Sequence, residues 1–178
     1  MKKLLFLLVL SALVLTSGHT KTHQAAATGN ADRLKLPAFS LVYDPKRNPF
    51  TDGARAIQLA KASNRRVLIL VGGNWCGWCK KMDRFINSDP EVYKALHSRF
   101  VLLKVNYSDE NKNEKFLSTF PKYLGFPHFF VADRNGRVIH SQDTTQLLDN
   151  DNYSKSLFLQ FLARWKPSDD PPRTAKSK

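Results

Sequence analysis

An α/β domain with a mixed central sheet and helices on both faces is what this sequence predicts, on three observations. Residues 67–71 and 100–105 are short apolar runs that read as strands buried on both faces. The segments around them carry apolar residues at helical spacing. An Asn135-Gly136 dipeptide between two further strand-like runs marks an antiparallel hairpin. In chain order, Thr51-Asp52-Gly53 opens a helix reaching about residue 62, with Ala56, Ile57 and Ala60 on one face. The strand 67–71 ends at Gly72-Gly73, and a helix follows over 76–87. Ser88 restarts a helix as its cap, with Pro90 in the first turn and Glu91 at the capping-box position, so that an extra helix spans 89–98. After the strand 100–105 come a short helix over 115–120 and the hairpin of 128–132 and 137–141. A helix carrying Leu157, Phe158, Phe161, Leu162 and Trp165 on one face closes the domain. The two central strands are parallel, joined by a right-handed crossover.

The chain of 178 residues suits one domain, placed at residues 35–166, once its ends are set aside. Met1-Lys2-Lys3 and the apolar run 4–15 read as the charged and hydrophobic parts of a signal peptide, cut after Gly18 or as late as Ala27. The run is shorter than the roughly 20 residues a spanning helix needs, so no stable membrane span is expected. Residues 19–34 read as a flexible lead-in and 167–178 as a disordered basic tail. The expected location is periplasmic or secreted, and the expected state is a monomer.

Hydrophobic residues at 42% and aromatics at 11% supply a core without disulfide staples or a structural metal, which frees the two cysteines from a structural task. The formal charge is +13, and losing Lys2 and Lys3 with the leader hardly changes it. Such a charge favours acidic partners. With no zinc-finger spacing, no RNP-like motif and basic residues scattered along the chain, specific nucleic-acid binding is not expected.

Cys76 and Cys79 sit where a buried strand gives way to a helix. The free N–H groups and dipole of a helix start favour a thiolate at Cys76, while Cys79 lies further in. An offset of three on a helix brings both sulfurs to one side. Cys76 is then the nucleophile and Cys79 the residue that resolves the mixed disulfide. An inert disulfide across so short a loop would constrain the unfolded chain little. Metal binding needs two more ligands, and His97, His128 and His140 fall in three separate elements, so neither metal nor cofactor is expected. Phe126-Pro127 precedes a strand, where proline is poorly tolerated, and on these residues alone cis and trans both stand open. A cis bond would present a backbone edge to an extended peptide. Trp75, Trp78 and Phe126 form an apolar rim for flexible substrates, with Gly77 between the tryptophans.

With Val71-Gly72-Gly73-Asn74-Trp75-Cys76-Gly77-Trp78-Cys79 and Gly125-Phe126-Pro127 in view, the chain resembles the thioredoxin-like superfamily over residues 39–165. It is most similar to exported bacterial members with an extra helix after the active-site helix. The resemblance implies a redox pair at Cys76 and Cys79, Pro127 in cis opposite it, and Trp75 shielding the sulfurs. It also implies protein thiols and disulfides as substrates, with a redox partner that the sequence does not identify. The chain departs from the pattern at three places. Leu70 stands where thioredoxins carry a buried acid, which leaves the proton relay to Cys79 open; Asp83, one turn beyond Cys79, reads more readily as a solvated helix-face residue than as its substitute. Gly77-Trp78 matches neither reducing nor oxidising members, which leaves the direction of electron flow open. His128 follows the proline where thioredoxins often have threonine. The leading expectation is an exported thiol–disulfide oxidoreductase; a non-catalytic partner-binding module and a thiol metal chaperone are the alternatives.

Overall fold

In the computed structural model, residues 35–167 are described; the expected signal peptide, the expected lead-in and all but Pro167 of the expected tail lie outside the described residues. A 3-10 turn at Ala38–Ser40 leads to α1 (Pro49–Ala62), β1 (Arg66–Gly72), α2 (Gly77–Ser88), α3 (Pro90–Arg99) and β2 (Phe100–Asn106). Then follow α4 (Glu114–Leu117), β3 (His128–Ala132), β4 (Val138–Asp143), a 3-10 turn at Thr144–Leu147, the two-residue strands β5 (Leu148–Asp149) and β6 (Asn152–Tyr153), and α5 (Lys155–Arg164). The main sheet runs β2-β1-β3-β4. β1 and β2 are parallel, and β3 is antiparallel to both β1 and β4. This is the mixed sheet expected.

Because successive strand residues face opposite sides, the apolar runs of β1 and β2 feed two separate cores. Leu68, Leu70, Phe100, Leu102, Phe129 and Val131 pack under the helices α2, α3 and α5, together with Cys76 and Cys79. Val67, Ile69, Val71, Val101, Leu103 and Phe130 meet α1 and Phe39 on the other face.

The helix starts differ from expectation in instructive ways. α1 begins at Pro49 rather than near Thr51, because the Asn48 side chain accepts the N–H groups of Phe50 and Thr51 at 2.9 and 3.2 Å. Asp89, not Ser88, caps α3: its carboxylate takes the N–H groups of Glu91 and Val92 at 2.9 and 3.2 Å, and Ser88 stays the last residue of α2. Both are side-chain caps from residues that favour that position. The helix expected at 115–120 has only one turn, Glu114–Leu117, entered from Asn113 in the left-handed region. Gly136 carries the hairpin turn at φ +84°, as its dipeptide predicts, and a Cβ there would meet Ile57 Cδ1 at 2.4 Å.

His97, on α3, is buried, and among the described residues its Nδ1 has no hydrogen-bond partner. Burial, aided by Arg65 and Lys104, pushes it down to about 4. Its folded pKa lies below its unfolded one, so as pH falls from about 6.5 toward 4 the unfolded chain takes up a proton that the native state refuses, and stability declines through that window. His128, also lowered by burial, adds in the same sense. Chemical denaturation at pH 7 and pH 5 is expected to show a loss of about 2 kcal/mol from His97, and His97→Gln should flatten that part of the slope. An equal slope in the variant would remove His97 from the account.

Candidate active site

Cys76 is the N-cap of α2: its Sγ accepts the Cys79 N–H at 3.1 Å, while its own carbonyl accepts the Lys80 N–H, also at 3.1 Å. The sulfur therefore occupies the place where a helix start stabilises negative charge. Cys76 is 6% exposed and Cys79 0%, so both are buried and the first lies nearer the surface. Both are free thiols. Cys79, Met82 and Ile86 form the buried stripe of α2, which is why the second cysteine of the motif turns inward. Burial and then the hydrogen bond with Cys76 push the Cys79 thiol up, and a backbone hydrogen bond with Gly73 works in the opposite sense. The two sulfurs are thus unequal, one poised at the rim and one held protonated behind it.

The Phe126-Pro127 bond is cis. The Phe126 carbonyl faces Cys76, whose Sγ donates to it at 3.8 Å, a long contact. The Pro127 carbonyl is taken by the Thr144 hydroxyl at 2.6 Å, so the carbonyl that faces the first sulfur is that of Phe126. Trp75, 58% exposed, donates its indole N–H to the Tyr107 carbonyl at 2.7 Å and meets Phe126 edge-on at 5.8 Å. Tyr107 in turn stacks on Phe126 at 4.7 Å. Trp78, also exposed, lies edge-on to Tyr153 at 6.0 Å with Lys81 Nζ 4.8 Å from its ring. Beside Gly77 a Cβ would meet nothing within 4 Å, so this point of the motif opens onto solvent. The structure therefore brings Trp75, Phe126 and Pro127 together around Cys76 and leaves Trp78 braced by Tyr153 next to them.

Leu70 is fully buried, as the missing strand acid implies. Asp83 departs from the solvated role expected of it. Its carboxylate is 2.8 Å from Lys104 Nζ, and the Lys104 side chain is only 3% exposed. Lys104 pairs with Leu70 across β1 and β2, and it also donates to the Leu41 carbonyl at 2.8 Å. The acid beneath the cysteines thus comes from the helix and is matched by a buried cation on the neighbouring strand. His128 neither faces solvent nor stands alone: its Nε2 is hydrogen-bonded with Ser141 Oγ at 2.8 Å.

Sequence reasoning missed Lys104, Tyr43, Tyr107 and Tyr153. A lysine in the middle of an apolar strand was the available signal for the first; nothing local marks the tyrosines. Among the described residues no group of three or more His, Cys, Asp or Glu side chains converges as a metal site would require. No helix among them is long and apolar enough to cross a membrane.

Residues 49–133 match the family described as thioredoxin-like. That match spans just under half of the chain, and over it the chain is similar to the thioredoxin-like family. Its domain superposes on a disulphide isomerase from Xylella fastidiosa Temecula1 with a TM-score of 0.60 at 20% identity, covering 74% of this chain and 97% of that one. The C-terminal domain of Neisseria meningitidis DsbD in its oxidised form gives 0.51 at 19% identity, covering 67% and 97%. These two likenesses establish the shared fold. In sequence, 99 residues, 56% of the chain, are 28% identical to the thiol:disulfide interchange protein DsbD of Escherichia coli strain K12. The match covers only 17% of that protein. The thioredoxin-like domain thus carries its cysteine pair at the start of α2 and its cis proline beside the first sulfur.

Proposed function

We propose that this protein is an exported thiol–disulfide oxidoreductase that exchanges disulfides with protein substrates through Cys76 and Cys79. The observation that carries the reading is the inequality of the two thiols: Cys76 Sγ caps a helix beside exposed Trp75 and Gly77, and Cys79 lies deeper, fully buried. In the reducing direction Cys76 attacks a substrate disulfide, forming a mixed disulfide and releasing one substrate sulfur; Cys79 then attacks Cys76 Sγ and frees the other. In the oxidising direction the steps reverse. An extended peptide lies against the Phe126 backbone at Pro127, with Trp75, Trp78 and Phe126 as an apolar rim and Gly77 leaving room for the approaching chain. Relatives named for thiol:disulfide interchange support the chemistry. The lysine-flanked apolar leader supports export, and the expected product outside the cytoplasm starts after Gly18 or Ala27.

Insulin reduction and the oxidation of reduced ribonuclease test the reading. Wild type should turn over in one or both assays and Cys76→Ser in neither; equal behaviour of the two proteins in both would leave a binding module on the same scaffold. The potential of the Cys76–Cys79 couple against glutathione then fixes direction, near about −270 mV for a reductant and about −120 mV for an oxidant.

A further inference from the structure

Tyr43 is the polar group on the cysteine face that the exchange steps leave without a task. It lies between the turn Ala38–Ser40 and α1, and its carbonyl accepts Asn74 Nδ2 at 2.8 Å, which ties this segment to the loop carrying Cys76. The side chain is 2% exposed, and among the described residues its hydroxyl has no hydrogen-bond partner. Buried hydroxyls are nearly always paired, so an unpaired one needs a reason. Gly72 shows where it points. The position of a Cβ on that glycine lies 2.6 Å from Cys79 Sγ and 3.0 Å from the Tyr43 hydroxyl oxygen, which makes oxygen and sulfur neighbours across the space the glycine leaves open.

We propose that Tyr43 is a positioning residue for the second half of the exchange, its hydroxyl donating a hydrogen bond to the Cys79 sulfur while that sulfur is a thiolate. This rests on the reading of Cys76 and Cys79 as the exchanging pair. In the mixed disulfide, Cys79 gives its proton to water and attacks Cys76 Sγ. The Cys76–Cys79 bond forms, the bond between Cys76 and the substrate sulfur breaks, and its electron pair leaves on the substrate sulfur, which takes a proton from water. The cysteine pair is oxidised by two electrons and the substrate disulfide reduced by two. Tyr43 keeps its own proton throughout. Burial, and then Cys79 and Asp83, push its phenol well above the ordinary value, so it serves as a donor and never as a base. The groups facing this spot are Cys76, Cys79 and Asp83 from α2 and its cap, Lys104 from β2, with Nζ 5.3 Å from the Tyr43 ring, and Tyr153 from β6. With Leu70 in place of an acid on β1, the Tyr43 hydroxyl is, among the described residues, a buried donor on this face without a partner.

Mixing the reduced protein with 5,5′-dithiobis(2-nitrobenzoate) separates the two halves, because the first thionitrobenzoate leaves on attack by Cys76 and the second on attack by Cys79. In Tyr43→Phe the first release should be unchanged and the second about tenfold slower at pH 7, the loss of one hydrogen bond to a charged acceptor. Because the Cys79 thiol is pushed well up, bulk base raises the thiolate fraction of both proteins alike, and the deficit should keep its size toward pH 9. A second release equal to wild type, or a first release slowed as much as the second, overturns the proposal. 3-Fluorotyrosine at position 43 keeps ring and hydroxyl, and its stronger donor should move the pH midpoint of the second release downward; no movement overturns the proposal even where the phenylalanine variant fails to fold. If wild type itself gives no second release, the exchange reading fails instead.

Discussion

Cys79→Ser is expected to stop the exchange half-way, accumulating a covalent adduct between Cys76 and its substrate. The geometry gives the order of events. Of the two cysteines Cys76 is the less deeply buried, and its Sγ sits at the start of α2 where it accepts the Cys79 N–H, so a visiting disulfide meets Cys76 first. Release then depends on a neighbour three residues away on the same helix turn. Intramolecular attack by a well-placed group is worth effective concentrations far beyond any free thiol in solution, so turnover should fall by at least about a hundredfold while the first attack persists. Non-reducing gels with a disulfide-bearing protein substrate read the adduct directly. Its absence from Cys79→Ser, with turnover retained, would show that Cys79 does not resolve the intermediate.

Gly72→Ala is the second large effect. Gly72 ends β1 with an ordinary negative φ, so the demand for glycine there is spatial rather than conformational. An added Cβ would stand 2.6 Å from Cys79 Sγ and 3.0 Å from the Tyr43 hydroxyl oxygen, against fully buried neighbours on α2. Overpacking of this kind costs about 1–3 kcal/mol. Relief by moving the sulfur also spoils its reach to Cys76, so both the denaturation midpoint and the second thionitrobenzoate release are expected to drop. A variant within about 0.5 kcal/mol of wild type, with normal release, would contradict the placement of Cys79 against β1. Gly73 has a parallel role for the rim, where a Cβ would come within 2.5 Å of the Trp75 indole nitrogen and break its bond to Tyr107.

Much of the fold was legible because its signals are local. Strands β1 and β2 were visible as apolar runs, α1 and α5 as apolar stripes, and the β3–β4 hairpin as Asn135-Gly136. The errors fell at boundaries, where a cap moves by one or two residues according to which side chain reaches the free N–H groups: Asn48 instead of Thr51, Asp89 instead of Ser88. The two-residue strands β5 and β6, which bring Tyr153 against Trp78 and Phe85, carry no periodicity long enough to read.

The order of elements and the placing of Cys76 and Cys79 at a strand-to-helix junction were determined by the sequence alone, since helix start, strand run and cysteine spacing are properties of neighbours within one or two turns. Only the tertiary structure decided what surrounds the inner sulfur. Tyr43, Asp83 and Lys104 come from the segment before α1, from α2 and from β2, and their meeting depends on how the sheet and helices pack. Whether a polar side chain is solvated, ion-paired or buried without a partner is fixed by groups far away in the chain, as the bond from Lys104 to the Leu41 carbonyl illustrates. No local pattern encodes that.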